Sequence, residues 1–388
     1  MRILVSVDME GIAGVVSAQQ TIKGEASYEE ARLWMTDEVT AAVSACKSVL
    51  PSCSVKVCDG HASKDNLLLE LLPSEVEVAK QDDGTAMMCG VETCDLVIML
   101  GYHGMARPSP EEGETAGGCQ WGFLGSGSFL AHTNVPRWVE CLSVNGIPLS
   151  EGLHNALLAK HFGVKLLAYS GTDVGVEEMR TSFPSLPAVV AVKSTEDNLV
   201  GVSPKEEIPK HIEKLKECVV TALKNSGLLN QPSESTLDCS SAPMPASDGP
   251  SEKQKEKDSH AGTEQSVQSR LSALPDIPLP SSDLQYKIRL RRLVDRKEFD
   301  TAVQTVREAQ ERETLSEPGP LQRTEETGDT AASGSASAAS ASPGPGLAAV
   351  CVSEDGRTLS FTAENSLQGF RTYRALLAAL RRLPVRKD

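Results

Sequence analysis

The first 228 residues alternate short apolar runs with segments of helical periodicity, and this alternation constrains the fold more than any other feature of the sequence. The apolar runs have the length of strands, and the intervening segments repeat apolar residues every three or four positions. This order of elements is typical of an α/β fold in which helices wrap a largely parallel sheet. The predicted strands are Ile3–Val7, Val55–Val57, Leu96–Leu100, Val139–Val144, Leu166–Tyr169 and Ala188–Val192.

Helix start signals support the same fold class. Residues 27–30, Ser-Tyr-Glu-Glu, have the spacing of a capping box and precede an amphipathic segment that reaches about Leu50. Residues 203–206, Ser-Pro-Lys-Glu, repeat the signature before a second amphipathic segment. A further helix is predicted over Ser150–Phe162.

Low-complexity sequence interrupts the C-terminal half twice. Residues 231–280 contain 10 Ser, 7 Pro and 2 Gly, and residues 331–346 consist only of Ala, Ser, Gly and Pro. Such segments cannot bury enough apolar surface to fold. The sequence therefore predicts a folded part over 1–228, a disordered insertion over 229–281, a strand–helix unit of the same domain over 282–312, a disordered linker over 313–350 and a C-terminal strand–helix unit over 351–388.

Composition argues against several classes of protein. A net charge of −15 disfavours a general nucleic-acid binder, and the basic clusters at 253–257 and 289–292 are short, with acidic or apolar neighbours. The N-terminus lacks the apolar stretch of a signal peptide, and no apolar run is long enough to predict a membrane span. The ten cysteines form no Cys-x-x-Cys pair, which indicates reduced thiols. We therefore expect a cytoplasmic protein that binds neither nucleic acid nor membrane.

Three predicted strands are followed by side chains that commonly bind metal ions. They are Asp8 and Glu10 after the first strand, Asp59 and His61 after the second, and His103 after the third. Reactive groups in open α/β sheets lie just beyond the carboxyl ends of the strands, and residues two apart in an extended chain point to the same side. A mixed imidazole and carboxylate set suits zinc, and less often manganese or iron. Each residue alone also has a simpler explanation, since carboxylates at strand ends commonly cap the next helix.

Two more candidates lie downstream. His132 stands among small and apolar residues, and Glu151 stands at the predicted start of a helix. Simple packing would also explain His132, and the helix dipole would also explain Glu151. Glu151 and His154 have the Glu-x-x-His spacing of carboxylate-bridged bundles, but the second such pair that a bundle requires is missing from the sequence.

Six ordered motifs together resemble those of the D-aminopeptidase family, the dinuclear zinc peptidases found with bacterial dipeptide-transport genes. The motifs are residues 6–12 with Gly14, residues 28–36, residues 59–67, residues 100–103, residues 131–133, and residues 145–146 with Glu151, Asn155 and Ala156. The resemblance implies that residues 1–228 are the N-terminal part of a metallopeptidase catalytic domain. It implies a ring-like homo-oligomer as well.

The resemblance also assigns roles to the candidate residues. It implies that two zinc ions are held by Asp8, Glu10, His61, His103 and Glu151. Asp8 would bridge the two ions, His132 would be the active-site histidine, and Asp59 would orient His61 from outside the ligand set. The implied reaction is hydrolysis of the N-terminal, D-configured residue of short peptides by a hydroxide that the two ions share.

The chain departs from the family pattern at three places. Twenty-eight residues separate His103 from His132, where family members have a shorter loop. His154 stands where an apolar side chain is expected, and Gly171-Thr172-Asp173 replaces an acidic pair. The long loop leaves the choice of substrate open.

Two other functions stay open from the residues alone. One is a two-metal hydrolase of another substrate class, such as phosphoesters, because the same pair of ions stabilises in-line displacement. The other is a non-catalytic metal-binding scaffold that recruits partners through its low-complexity segments.

Overall fold

The computed structural model describes residues 1–79, 85–106, 129–195, 200–226, 282–290, 297–305, 350–353 and 356–383. The chain divides into two compact units, one of Met1–Thr133 and Leu149–Leu279, the other of Asn134–Pro148 and Pro280–Asp388. The predicted disordered insertion at 229–281 and all but the last residue of the linker at 313–350 lie outside the described residues.

Twelve strands and six α-helices are assigned within the described residues, besides five short 3-10 helices. The strands are β1 (Arg2–Val7), β2 (Ser54–Asp59), β3 (Glu77–Val78), β4 (Leu96–Tyr102), β5 (Val139–Val144), β6 (Ile147–Pro148), β7 (Lys165–Thr172), β8 (Ala188–Ser194), β9 (Gly201–Val202), β10 (Ser282–Leu290), β11 (Cys351–Val352) and β12 (Thr358–Asn365). The helices are α1 (Tyr28–Val49), α2 (Glu151–His161), α3 (Asp173–Ser182), α4 (Ile208–Asn225), α5 (297–305) and α6 (Ser366–Arg382).

The first unit contains a seven-stranded sheet in the order β3-β2-β1-β4-β7-β8-β9. Every neighbouring pair is parallel except β8 and β9. Helices flank the sheet, so the predicted α/β fold with a largely parallel sheet is confirmed. The order changes direction at β1, and this places β2 and β4 on either side of it.

The core of this unit is built between β1 and two helices. The strand β1 is buried from Ile3 onward because both of its faces are covered, which explains its nearly continuous apolar sequence. Helices α1 and α4 bury their apolar faces in the same cluster. Members of the cluster include Ile3, Val5 and Val7 of β1, Met35, Val39 and Cys46 of α1, and Leu215, Val219 and Leu223 of α4.

The helix start signals are only partly confirmed. At α2 the Ser150 hydroxyl accepts a hydrogen bond from the backbone N–H of Leu153, as an N-cap does. At α1, Ser27 occupies the N-cap position but makes no side-chain capping bond. At residues 203–206 the capping bond does not form. Pro204 holds the N-cap position of a 3-10 turn over Lys205–Glu207 that leads into α4, and the Ser203 hydroxyl accepts from the backbone N–H of Gly14 and donates to the carbonyl oxygen of Ala191.

The second unit contains a five-stranded sheet in the order β11-β12-β10-β5-β6. Its strand pairs are antiparallel, and the ring of Tyr286 on β10 stacks on that of Phe361 on β12 with centroids 4.6 Å apart. The structure groups Pro280–Asp388 with Asn134–Pro148 in this unit, and both neighbours of β10 are strands of this second sheet.

None of the helices in the described part of the chain is long and apolar enough to cross a lipid bilayer.

Candidate metal centre

The carboxyl ends of three adjacent parallel strands carry the first group of candidate residues. Asp8 directly follows β1, His61 lies two residues beyond β2, and His103 directly follows β4. Because β2, β1 and β4 are neighbours in the sheet, these side chains start from one edge. Glu151 joins them as the first residue of α2.

Two glycines let the backbone at the ends of β1 and β4 come close together. A Cβ atom on Gly11 would lie 2.3 Å from the carbonyl oxygen of Tyr102. Gly101 has φ +69°, and a Cβ atom on it would lie 2.1 Å from the carbonyl oxygen of Asp8. Only glycine fits such contacts, and it also adopts the left-handed conformation without strain.

Asp8, Glu10 and His61 form one set of buried contacts. His61 Nδ1 lies 3.3 Å from Asp8 Oδ1 and 3.0 Å from Glu10 Oε2. His61 Nε2 lies 2.8 Å from the carbonyl oxygen of Thr21. That carbonyl accepts a hydrogen bond from the Nε2–H group, so Nδ1 is left to face the two carboxylates.

His103, Glu151 and His132 form a second set. His103 Nε2 lies 3.4 Å from Asp8 Oδ2 and 3.5 Å from Glu151 Oε1, and His132 Nε2 lies 3.7 Å from Glu151 Oε1. The Nδ1 atoms of the two histidines donate to the carbonyl oxygens of Gly104 and Leu130. Both histidines therefore direct Nε2 towards Glu151.

Asp8 lies between the two sets and faces each with a different oxygen, Oδ1 towards His61 and Oδ2 towards His103. Burial alone would raise the pKa of Asp8, but His103 and His61 hold it well below its usual range. The carboxylate is therefore ionised, and each of its oxygens can interact with a positively charged group.

The buried carboxylates of the site favour positive charge beside them. Burial opposes protonation of His61, yet Glu10 and Asp8 raise its pKa to about 12, and Asp8 and Glu151 raise the pKa of buried His103 to about 10. Among the described residues, His103 Nε2 has no hydrogen-bond partner although it is buried. A buried imidazole nitrogen that faces two carboxylates without a hydrogen bond lies where a metal ligand would lie.

The donor atoms also converge closely enough to share ions. Potential ligand atoms of Asp8, Glu10 and His103 all lie within 4.8 Å of one another, and so do those of His103, His132 and Glu151. Imidazole nitrogen and carboxylate oxygen are common zinc ligands. The residues present therefore fit zinc, and the structure brings together all six that the sequence singled out.

Asp59 lies beside this cluster but contacts the backbone of His61 instead of its ring. Its carboxylate accepts from the backbone N–H groups of His61, Asn66 and Leu67 and from the Asn66 side chain, at 2.6 to 3.2 Å. Burial raises the pKa of Asp59, although these hydrogen bonds oppose the rise. Asp59 thus holds the turn that carries His61.

Sequence reasoning gave no role to several buried polar residues near the site. The Tyr102 hydroxyl lies 2.7 Å from Ser6 Oγ and accepts from the Asn155 side chain at 2.9 Å. Both Glu178 oxygens accept from the backbone N–H of Met105, two residues beyond His103. The position of Tyr102 at a strand end was the one available signal. His154 is buried on α2 and belongs to neither group of converging ligands.

Comparison with known proteins gives three matches. The family model described as D-aminopeptidase matches residues 1–112 and 122–246. A curated D-aminopeptidase of Bacillus subtilis (strain 168) is 30% identical over 202 residues, which cover 50% of this chain and 64% of that protein. The solved structure of the zinc-dependent D-aminopeptidase DppA from Bacillus subtilis, described as a self-compartmentalizing protease, matches with a TM-score of 0.63 and 18% identity over 99% of each chain.

Proposed function

This chain belongs to the D-aminopeptidase family, and we propose on that basis that it is a zinc-dependent aminopeptidase that releases the N-terminal residue of short peptides. The aligned region spans slightly less than two thirds of the curated relative, 64% of its length. The activity, the substrate and the assembly state are therefore inferred from the site and from the family together.

The position of Asp8 is the observation that carries the proposal. Its two oxygens face different histidines, with Glu10 beside the first and Glu151 beside the second. A carboxylate in this position can bridge two cations. We therefore propose two zinc ions, with Asp8, Glu10, His61, His103 and Glu151 as ligands and Asp8 shared between the ions.

Bound zinc would polarise the scissile carbonyl and would make a water acidic enough to act as the nucleophile near neutral pH. The protein fixes the orientation of its histidines through the carbonyl oxygens of Thr21, Gly104 and Leu130. Asp59 holds the turn that carries His61. These contacts prepare the ligand geometry before substrate arrives.

His132 is the proposed catalytic residue. Its side chain keeps 18% of its surface exposed, whereas that of His103 keeps only 1%, so His132 is the histidine that can reach substrate. Nε2 faces Glu151 while Nδ1 is bonded to Leu130. A proton on Nε2 can pass to the leaving amine or bond to the developing oxyanion. This role suits His132 better than that of a nucleophile, because the activated water already fills that role.

Preference for a D-configured residue is proposed from the family description. Homo-oligomeric assembly is proposed because the structural relative is described as self-compartmentalizing. A cytoplasmic location is proposed from the cysteines, since the eight in the described residues form no disulfide.

The test measures release of free amino acid from D-Ala-D-Ala and from L-Ala-L-Ala, and release of the alcohol from a generic phosphodiester, each with and without chelator. We expect chelator-sensitive cleavage of D-Ala-D-Ala, lost in Asp8→Asn and kept in Asp37→Asn, which removes an exposed carboxylate of α1. Cleavage of the phosphodiester alone would replace the peptidase with a two-metal phosphoesterase. Binding of two metal equivalents without any cleavage would support the scaffold function.

A further inference from the structure

The segment 129–133, which carries His132, is held by two residues that the proposed ligand set does not include. The backbone N–H of Phe129 donates to Ser194 Oγ at 3.2 Å. Ser194 Oγ in turn donates to Asp173 Oδ1 at 2.9 Å, and the Ser194 backbone N–H donates to Asp173 Oδ2 at 2.9 Å. A continuous hydrogen-bonded path therefore runs from Asp173 to the start of the His132 segment.

The two hydrogen bonds that Asp173 accepts from Ser194 fix the direction of the Ser194 hydroxyl. Asp173 is the first residue of α3 and Ser194 is the last residue of β8. One carboxylate oxygen accepts a hydrogen bond from the hydroxyl group, and the other accepts one from the backbone N–H of the same residue. With its proton committed to Asp173, Ser194 Oγ has lone pairs available for the N–H of Phe129.

Helix capping does not account for this arrangement. Thr172 already serves as the N-cap of α3, because its hydroxyl accepts from the backbone N–H of Gly175. Asp173 Oδ1 does accept from Val174, and a carboxylate in a first turn suits the helix dipole. Neither reason explains why Asp173 accepts hydrogen bonds from both the backbone N–H and the hydroxyl of Ser194.

The held segment has a conformation that needs support. Leu130 has φ +53°, in the left-handed region that side chains other than glycine disfavour. This conformation brings the Leu130 carbonyl oxygen within 2.7 Å of His132 Nδ1. Beyond Leu130, the His132 backbone N–H donates to Gly104, and the Thr133 hydroxyl accepts from Ala106.

Phe129 is anchored through its ring as well as through its backbone. Its side chain is buried, and a Cβ atom on Gly201 would lie 2.9 Å from the ring. The ring therefore packs directly on the backbone of β9. Ser194 and Gly201 are paired across β8 and β9, so one hairpin supports both the N–H and the ring of Phe129.

We propose that Ser194, oriented by Asp173, is a positioning residue that fixes the His132 segment so that the imidazole stays aligned with Glu151 and His103. The effect on turnover rests on the proposed function, whereas the effect on the His132 segment does not.

The experiment compares Ser194→Ala with Ser194→Thr and with Thr195→Ala. Thr195 is the next residue, and its hydroxyl bonds to Val200 across the same hairpin, so its variant is the matched control. Each protein is assayed for kcat, KM and zinc content. Carbethoxylation of His132 by diethyl pyrocarbonate, followed by mass spectrometry, reports on the segment independently of turnover.

For Ser194→Ala we expect kcat to fall by about tenfold to a hundredfold with KM and zinc content nearly unchanged, because small displacements of a reacting group cost rate. The modification rate of His132 should rise. Ser194→Thr should restore both values, since it keeps the hydroxyl, and Thr195→Ala should match the wild type.

An unchanged His132 modification rate in Ser194→Ala, or an equal change in Thr195→Ala, would overturn the positioning role. If the wild type cleaves no peptide, the proposed function fails, and the modification rates still decide whether Ser194 holds the segment.

Discussion

The imidazole ring of His132 stacks on that of His103, with centroids 4.1 Å apart and planes inclined by 12°. The two rings are close neighbours in unlike environments, because His103 is buried between Asp8 and Glu151 while His132 is partly exposed. Substitution of each ring in turn can therefore distinguish metal binding from proton transfer.

Removal of each ring should have a distinct result. We expect His103→Ala to lose zinc and activity together, since it removes a buried nitrogen that faces two carboxylates. His132→Gln should keep its zinc and lose about 10²-fold to 10⁴-fold in kcat, the usual contribution of a proton-transferring group. Elemental analysis beside steady-state kinetics measures both. Equal zinc loss in the two variants would make His132 a ligand.

Loss of the shared carboxylate should empty both metal positions. Asp8 contacts both histidine sets, whereas Glu10 contacts only His61 among the site histidines. We expect Asp8→Asn to lower the zinc content from about two ions per chain towards none, and Glu10→Gln to leave about one. Elemental analysis on chains purified without added metal gives the count. Full occupancy in Asp8→Asn would remove the bridging role.

The turn that carries His61 should depend on Asp59. Four hydrogen bonds converge on this carboxylate, so Asp59→Ala should weaken zinc binding by about tenfold to a hundredfold. Competition with a chromophoric chelator measures the affinity. Asp65→Asn is the matched control, because Asp65 lies in the same turn but pairs with Lys23 near the surface. An equal loss in both variants would point to the turn as a whole.

A buried ion pair away from the metal centre should make stability depend on pH. His211 Nε2 of α4 lies 3.2 Å from Glu38 Oε1 of α1, and Glu38 also accepts from the backbone N–H of Ala13. Burial opposes protonation of His211, and Lys214 acts in the same direction, but Glu38 raises its pKa above the ordinary value.

Because this pKa is raised in the folded state, the pair stabilises fully below about pH 6.5, the ordinary histidine pKa, and the stabilisation is lost as pH rises through the raised value. The free energy of unfolding of the wild type should therefore exceed that of His211→Gln most below about pH 6.5, and the excess should shrink as pH rises above that value. Urea titrations across this range measure the difference. A difference that does not change with pH would mean that the pair is not ionised.

Close backbone approach at the end of β4 should make Gly101 irreplaceable. Gly24→Ala is the control, because Gly24 also has positive φ but has open space around its Cα. We expect Gly24→Ala to cost about 1 kcal/mol from the left-handed conformation alone. Gly101→Ala should cost at least about 2 kcal/mol more, since its methyl group would meet the carbonyl of Asp8. Equal costs, measured by chemical denaturation, would show that the backbone can move apart.

Much of the candidate metal centre could be predicted from the sequence because several of its residues stand at strand ends. Asp8 and His103 each follow an apolar run directly, and parallel order brings the ends of such runs to one edge. Glu151 and His132 needed the resemblance to the family, since a helix start and a packed histidine are common without any site. The α/β fold followed from the alternation of apolar runs in the same way.

Contacts between residues far apart in the chain could not be predicted from the sequence. The alternation in Val139–Val144 predicts a strand but does not reveal that its partner is β10 in a separate sheet. Likewise, Glu38 and His211 lie on helices with no pattern that joins them, and Ser194 reaches Phe129 only after the sheet has formed. The spacing of apolar residues along a segment indicates which of its faces is buried, whereas the pairing of strands and side chains depends on how the whole chain assembles.

The β5–β6 hairpin has a consequence for shortened versions of this protein. The hairpin belongs to the second unit, yet it stands in the chain between His132 and Glu151. Expression of residues 1–226 alone would remove β10 and leave one edge of β5 with unpaired backbone groups, a ready template for aggregation. Trimming the C-terminal half would therefore yield insoluble protein even though it deletes none of the residues proposed for catalysis.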